Sequence, residues 1–301
     1  MKRIQEKNMV KITICTPTYN RCDLLTNLYN SILKQKFNEF EWIIIDDGST
    51  DNTKEIVENF IKEKKINITY CIKENGGKHT AVNRGLDIAS GELFFIIDSD
   101  DTIKEDALET IWEYWKEIRL DESYVGVAGL KAHTNGNLVG TSFDGKYIDA
   151  TVINFRYKKK IFGDKCEVYK TDVLRQYKFP IFQKEKFTTE ALVWNRLSAK
   201  GYKIRWFNEV IYYCEYLENG LTGNYDRLMV DNWNATRMYY NELARSKEMT
   251  YIKKVISVYP YFLKYCIKKY GLIKAFYKEK HTISLIASIP FYIVRKIKKV
   301  I

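Results

Sequence analysis

Four short apolar runs within the first 101 residues each break into a polar or glycine-rich loop. Val10 to Thr16 breaks at Pro17, and Trp42 to Ile45 ends in Asp46-Asp47-Gly48-Ser49. Ile66 to Ile72 ends at Glu74-Asn75-Gly76-Gly77, and Leu93 to Ile97 ends in Asp98-Ser99-Asp100-Asp101. Runs of this length, bounded by turn signals, read as buried strands. Helical spacing fills the gaps: Leu24, Leu25, Leu28, Ile32 and Leu33, then Ile56, Val57, Phe60 and Ile61, then about Thr80 to Ala89. The alternating order predicts an α/β fold, a largely parallel sheet with helices on both faces. Parallel strands point one way, so their polar loops gather on one rim, outside the carboxyl ends, where open α/β sheets bind ligands.

Beyond Asp101 the pattern loosens. The spacing predicts a helix over Ile103 to Ile118 and a strand over Tyr124 to Leu130. Residues 131–160 read as irregular or hairpin-like, with Asn135-Gly136 and Asp144-Gly145 as turn signals. Phe187 to Lys200 reads as a helix ended by Gly201, and Tyr202 to Tyr213 as mostly strand. From about Asp231 the chain reads as helical, aromatic and basic. The expected division is a catalytic domain over 1–230 and a helical, basic-aromatic extension over 231–301.

With 46% hydrophobic and 29% charged residues, the composition is that of an ordinary folded protein. The six cysteines include no Cys-x-x-Cys pair, which argues against zinc and a disulfide framework and suits a reducing cytosol. Met1 to Lys11 lacks the apolar core of a signal peptide, and no apolar run approaches the ~20 residues that span a bilayer. The expected location is cytoplasmic, peripheral on the inner face of the cell membrane. Much of the net charge of +11 falls near the end, in lysines and arginines from Lys264 to Lys299 interleaved with apolar residues. Basic amphipathic helices of this kind lie on anionic membrane surfaces. A helical cap on the catalytic domain, or a dimer interface, would have the same composition.

The rim loops carry the chemistry. Asp98 and Asp100, two residues apart at a strand end, can share Mg²⁺ or Mn²⁺, which there completes its shell with substrate phosphates. Thr16-Pro17-Thr18-Tyr19-Asn20-Arg21 offers polar side chains and backbone N–H groups to a nucleotide or phosphate. A carboxylate in Asp46-Asp47-Gly48-Ser49-Thr50-Asp51 can accept from a base or ribose, while Asp51 suits a helix cap. Gly76 and Gly77 allow close backbone approach, and Lys78 can meet phosphate charge. Thr188-Thr189-Glu190 opens a later helix, where a carboxylate can act as a base. Taken singly, each segment also reads as a turn, cap or solvated loop. His79 reads as a surface or packing histidine, Trp194 as core, and Lys165 and Arg175 as surface charges.

Residues 10 to about 222 resemble family 2 glycosyltransferases with the GT-A fold. The matching segments are TPTYNR (16–21), IDDGSTDNT (45–53), ENGGKHTAVNRGL (74–86), IDSDD (97–101), GDKCEVYKTDVL (163–174), KFTTEALVWNR (186–196) and EYLENGLT (215–222). The resemblance implies a Rossmann-like sheet, a nucleotide-sugar donor such as a UDP-sugar, Mn²⁺ or Mg²⁺, and inversion at the anomeric carbon. It implies a glycan or lipid-linked acceptor and a place in surface polysaccharide or glycolipid synthesis. Carried onto this sequence, Thr16 and Asp47 would hold the base, with Pro17, Tyr19, Asn20, Gly77, Lys78 and Ser99 around the nucleotide. Asp98 would touch ribose or metal, Asp100 would bind metal and diphosphate, and Glu190 would be the catalytic base. Many members have Glu-Asp where this chain has Thr189-Glu190. Asp164 and Glu215 are the other candidate bases.

Two further readings stay open on sequence. A nucleotidyltransferase also joins an α/β sheet to metal-binding acids, and a non-catalytic sugar-nucleotide or glycan-binding protein can use a transferase scaffold. No nucleic-acid-binding module is recognisable.

Overall fold

The computed structural model of the chain describes residues 10–214 and 223–297, which leaves Glu215, the 215–222 segment, Lys298 and Lys299 outside the described residues. The described residues form two compact units. The first lies within 1–151, 161–178 and 201–215, the second within 152–160, 179–200 and 216–301.

The first unit holds the sheet. Strands β1 (Ile12–Thr18), β2 (Phe40–Asp46), β3 (Ile68–Ile72) and β4 (Leu93–Ile96) run in the order β3-β2-β1-β4, all parallel. β2 is buried from Glu41 to Asp46 whichever way its side chains point, as expected of a parallel strand covered on both faces. Helix α1 (Cys22–Leu33) buries Leu25, Leu28, Tyr29 and Ile32, one stripe at helical spacing. Helix α2 (Thr53–Glu63) buries Val57 and Phe60, and Phe60 stacks on Tyr29 with centroids 4.0 Å apart. Helix α3 (Lys78–Ile88) lies so close to β1 that a Cβ at Gly85 would stand 2.4 Å from Cys15 Sγ.

The rest of the sheet is mixed. It uses β5 (Thr102–Ile103), β6 (Tyr124–His133), β7 (Tyr147–Ala150), β8 (Lys165–Lys170) and β9 (Lys203–Cys214). β8 runs antiparallel between β4 and β6, while β9 is parallel to β6 and antiparallel to β5 and β7. The helix expected from Ile103 begins instead at Ala107, because Thr102 and Ile103 pair with Tyr213 and Tyr212. That helix, α4 (Ala107–Lys116), buries Leu108, Ile111, Trp112 and Trp115, each side chain contributing about 1.5–3 kcal/mol. A short helix α5 (Thr171–Arg175) follows β8.

One expected surface charge is buried, and the other is partly exposed but tied down. Lys165 is 2% exposed, with Nζ donating to the carbonyls of Val139 (3.3 Å) and Phe162 (3.1 Å). Arg175 donates through Nε to Leu86 O at 2.8 Å and through Nη2 to Ala89 O, tying α5 to the end of α3. Backbone carbonyls supply the partners that make the buried Lys165 ammonium tolerable.

The second unit is helical. It contains α6 (Ala191–Ala199), α7 (Tyr225–Asp231), α8 (Trp233–Arg245), α9 (Tyr251–Ser257), α10 (Tyr259–Tyr270), α11 (Thr282–Ala287) and α12 (Ile289–Ile297). Its core gathers Trp233, Tyr240, Leu243, Phe262, Leu263 and Cys266, with Tyr240 stacked on Phe262 at 5.0 Å. Trp194 is core as expected, 6% exposed and edge-on to Phe179. The Arg196 fork holds both Glu242 oxygens at 2.8 Å, fixing α6 to α8.

Candidate active site

The carboxyl ends of β1, β2, β3 and β4 share one rim, and hydrogen bonds stitch their loops together. Asp47 follows β2 and is 3% exposed. Its carboxylate accepts from Gly76 N (2.9 Å), Gly77 N (2.7 Å) and Lys73 Nζ (2.5 Å). Gly77 can turn there because it adopts φ +93°, a conformation that disfavours side chains. Asn20, at φ +50°, donates its N–H to Ser49 Oγ (2.9 Å) and accepts from Thr50 N at Oδ1 (2.8 Å). Asn tolerates that left-handed backbone better than most residues. Asp51 accepts from Thr53 Oγ1 (2.6 Å) and Cys22 N (3.1 Å), joining the starts of α1 and α2.

The nucleotide candidates are placed unevenly along β1 and its loop. Tyr19 is 47% exposed and offers a ring face, while Pro17 is buried in the strand. Thr16 is fully buried, and its hydroxyl accepts from Trp42 Nε1 at 2.9 Å. Its side chain therefore serves the core. Thr18, two residues on and so on the same face, is 3% exposed with a hydroxyl that has no hydrogen-bond partner.

The acids after β4 are held by cations from two other loops. Lys78 Nζ, at the start of α3, lies 2.5 Å from Asp98 Oδ1. Arg21 Nη1, before α1, lies 2.6 Å from Asp100 Oδ1. Burial alone would raise the Asp98 carboxyl, yet Lys78, with Lys131 and Arg21, holds it below the usual carboxylate range. Beneath them, the Tyr212 hydroxyl accepts from Asp98 N (3.1 Å) and donates to Asp101 Oδ2 (2.6 Å). Burial, reinforced by Asp98, pushes the Asp101 carboxyl up to about 7. Ser99 is 1% exposed. Lys131 pairs with Asp164 at 2.7 Å and sits 4.4 Å from the Tyr212 ring centre. Its ammonium stays charged although burial opposes it, because Asp164 and Asp98 face it.

His79 is 3% exposed, and neither ring nitrogen has a hydrogen-bond partner. Arg21, Lys73, Lys131 and Tyr212 were not singled out from sequence as site residues. Arg21 closes the TPTYNR segment and Lys73 follows β3, so both lay in readable places. Lys131 and Tyr212 arrive on β6 and β9, whose local sequence carries no mark of the rim.

Asp98 and Asp100 supply two hard oxygen donors of the kind Mn²⁺ and Mg²⁺ use with substrate phosphates. Among the described residues no group of three or more His, Cys, Asp or Glu converges as a metal cage. An ion held by these two acids would need further ligands, of the kind substrate phosphates supply. Glu190 belongs to the second unit, at the N-cap of α6. Its carbonyl accepts from Val193 N (3.0 Å) and Trp194 N (3.2 Å), while its side chain makes no capping bond. Asp164, the other described candidate base, has its carboxylate against Lys131.

The sheet with its acidic rim is a GT-A glycosyltransferase fold. It is similar to Staphylococcus aureus TarS 1–349 in complex with UDP-GlcNAc, with TM-score 0.62 and 24% identity over 94% of this chain and 80% of that one. It is also similar to the mannosyltransferase PcManGT from Pyrobaculum calidifontis in complex with GDP-Man and Mn²⁺, with TM-score 0.58 and 16% identity over 95% and 88%. Glycosyl transferase family 2 matches residues 13–178, over half of the chain, and the chain belongs to that family. It is 29% identical over 286 residues to the GalNAc(5)-diNAcBac-PP-undecaprenol beta-1,3-glucosyltransferase of Campylobacter jejuni, covering 90% of this chain and 88% of that protein. It is 28% identical over 238 residues to the putative teichuronic acid biosynthesis glycosyltransferase TuaG of Bacillus subtilis, covering 78% and 88%. The chain is a glycosyltransferase, and the nucleotidyltransferase reading is not favoured.

Proposed function

We propose that this glycosyltransferase moves a sugar, with inversion, from a UDP-sugar to a hydroxyl of a glycan or lipid-linked acceptor in surface polysaccharide or glycolipid synthesis. The observation that carries this reading is the pairing of Asp98 with Lys78 and of Asp100 with Arg21 at the carboxyl end of β4. Two carboxylates and two cations from three loops form a site suited to a diphosphate with its counter-ion. The TarS complex with UDP-GlcNAc supports the donor, and the lipid-linked substrate in the name of the Campylobacter relative supports the acceptor.

Asp98 and Asp100 would hold Mn²⁺ or Mg²⁺, which when bound supplies positive charge to the leaving diphosphate without proton transfer. The loop of Gly76 and Gly77, anchored by Asp47, borders the nucleotide, and Tyr19 presents its ring. Asn20 ties its loop to Ser49 and Thr50, and Pro17 and Ser99 would lie around the nucleotide with it. The Lys78 and Arg21 cations sit where the diphosphate charge grows as the anomeric bond breaks. Glu190 accepts the proton of the acceptor hydroxyl while its oxygen attacks the anomeric carbon opposite the leaving group. We assign the catalytic domain to 1–230, so that it includes Glu190, and the helical extension to 231–301.

The extension would rest on an anionic membrane surface. Ile252, Leu272, Ile273, Ile283 and Ile297 are each more than half exposed there, amid lysines and arginines. No helix among the described residues is long and apolar enough to cross a membrane. Association at the surface, from the cytoplasmic side, would place the site beside a lipid-linked acceptor.

The deciding assay incubates purified protein with a panel of nucleotide sugars, with Mn²⁺ or with EDTA, and scores free nucleoside diphosphate. Release with one donor, lost in EDTA, is expected. Full activity in excess EDTA would remove the metal, and release of pyrophosphate would remove the sugar-transfer chemistry.

A further inference from the structure

The loop that leads into Glu190 is locked to the junction of α7 and α8 by an exchange of capping groups. Asn232 ends α7 and is the N-cap of α8, where an Asn side chain ordinarily accepts from the first N–H groups of its own helix. Here it makes no such bond. Glu185 caps α8 instead. Its carboxylate accepts from Asn234 N at 2.8 Å and Ala235 N at 3.0 Å, where the helix dipole favours negative charge. Asn232 reaches the other way: its Oδ1 accepts from Lys186 N at 2.8 Å and Phe187 N at 3.0 Å. Its Nδ2 donates to Leu228 O at 2.8 Å, and the residue is 7% exposed.

Bonds in both directions thus join residues 185–187 to residues 232–235, all within the helical unit. The contact continues toward the base. Phe187 stands edge-on to Tyr225 with ring centres 6.0 Å apart, and the Thr189 side chain hydrogen-bonds to Tyr225. Past Glu190, Arg196 holds Glu242 of α8, and Ser198 Oγ donates to Glu248 at 2.6 Å, just beyond that helix. The segment that carries Glu190 is therefore braced against α8 and its flanks on both sides of the carboxylate. Packing alone does not call for a buried amide. A fully satisfied buried network fixes one arrangement of the groups that it joins.

We propose that Asn232, with Glu185, is a positioning residue for the general base: through the backbone of Lys186 and Phe187 it sets where the Glu190 carboxylate stands. The proposal rests on the reading of Glu190 as the base. A base must come within about 2.6–3.2 Å of the proton that it takes. A misplacement of about 1 Å, caused from outside the chemistry, costs roughly 10²-fold. Asn232 acts without touching substrate, so its loss should leave donor binding alone.

The test is steady-state transfer by the full chain, with kcat and donor KM read separately. The probes are UDP-glucose, UDP-galactose and their N-acetylamino counterparts as donors, with p-nitrophenyl glycosides as acceptors, and the pair with the highest turnover serves every variant. Asn232→Leu keeps the bulk of the side chain and removes the acceptor of both N–H groups. Its kcat should fall about 10²-fold, with donor KM within a few-fold of wild type. Asn232→Asp keeps that acceptor, and Leu228 O keeps the Asn232 N–H at 3.0 Å, so most of the loss should be recovered. In a Glu190→Gln background, Asn232→Leu should cost nothing more, because the carboxylate that it places is already gone, whereas general damage to the fold would add its own loss. Near wild-type kcat in Asn232→Leu overturns the proposal, as does a loss that persists undiminished in the Glu190→Gln background. If Asn232→Leu does not fold, Glu185→Gln loosens the same clamp from its other side. There kcat should fall several-fold at unchanged donor KM, and an unchanged kcat overturns the proposal. Full transfer by Glu190→Gln removes the base reading and the proposal with it, while a loss in Glu190→Gln but not in Asn232→Leu removes the positioning role alone.

Discussion

Arg21 Nη1 stands 2.6 Å from Asp100 Oδ1, so a cation from the β1 loop already occupies one face of the acid proposed to hold the metal. An incoming divalent ion must compete with that guanidinium, and an incoming diphosphate gives the guanidinium a new anion. Removing Arg21 should therefore separate two affinities. Arg21→Ala should tighten Mn²⁺ binding in the absence of nucleotide by several-fold, the size of one partly buried ion pair of about 1 kcal/mol. It should also raise the donor KM. Free Mn²⁺ measured by electron paramagnetic resonance reads the first effect, and unchanged Mn²⁺ affinity would show that the pair does not compete.

Asp47 carries the Gly76 and Gly77 loop on its carboxylate, so its substitution should act through that loop. Asp47→Asn turns one of the two accepting oxygens into a donor, which leaves the N–H of Gly76 or Gly77 unsatisfied at about 1–3 kcal/mol. The loop borders the nucleotide before and during reaction, so most of the loss is uniform binding. Donor KM should rise while kcat at saturating donor stays within a few-fold of wild type. The reverse pattern, with KM unchanged and kcat collapsed, would assign Asp47 to the chemical step.

The imidazole of His79 is pushed down to about 4, first by burial and also by Lys73, against the attraction of Asp47. In the unfolded chain it ionises near 6.5. Between those values the unfolded state binds the proton and the folded state does not. Stability from this residue is present above about 6.5 and is lost as pH falls toward 4, by roughly 3 kcal/mol in total. Chemical denaturation of wild type and His79→Leu at pH 7 and pH 4.5 should show a smaller drop in the variant. Equal drops would mean that His79 accepts its proton freely in the fold.

The parallel half of the sheet was legible because each strand there is a short apolar run followed by a polar or glycine-rich loop, although β1 runs through Pro17, where a break was expected, to Thr18. The mixed half was not. β5 is two residues long, and its pairing with Tyr212 and Tyr213 joins positions more than a hundred residues apart. The position of the rim acids could be read from sequence, since they directly follow an apolar strand. Their partners could not, because a salt bridge such as Lys131 with Asp164 depends on register between distant strands. Lys165 misled for a related reason: its buried Nζ is satisfied by carbonyls, which have no sequence signature.

If the helical extension rests on an anionic surface, charge reversal should detach it. Lys296→Glu, Lys298→Glu and Lys299→Glu together change the sign of the basic end. Each basic residue near such a surface contributes about 1 kcal/mol, and the effect fades as salt rises. Co-sedimentation with phosphatidylserine vesicles at low salt should drop by more than tenfold in the triple variant, and both proteins should dissociate at high salt. Equal sedimentation of the two would remove the membrane from the proposal.

Glu190→Gln isolates the proton transfer. The substitution keeps the length and shape of the side chain at the start of α6, and no capping bond is lost because the carboxylate makes none. The amide cannot accept the acceptor's proton. Since the base acts only in the transition state, donor affinity should persist while kcat falls by about 10²–10⁴-fold, the usual contribution of general-base catalysis. Slow donor hydrolysis should survive, because Asp98, Asp100, Lys78 and Arg21 remain. Unchanged donor KM and unchanged melting temperature separate this role from a structural one. Transfer at near wild-type rate would remove Glu190 as the base. Asp164, which would have to leave Lys131, and Glu215 would then be the carboxylates to replace next.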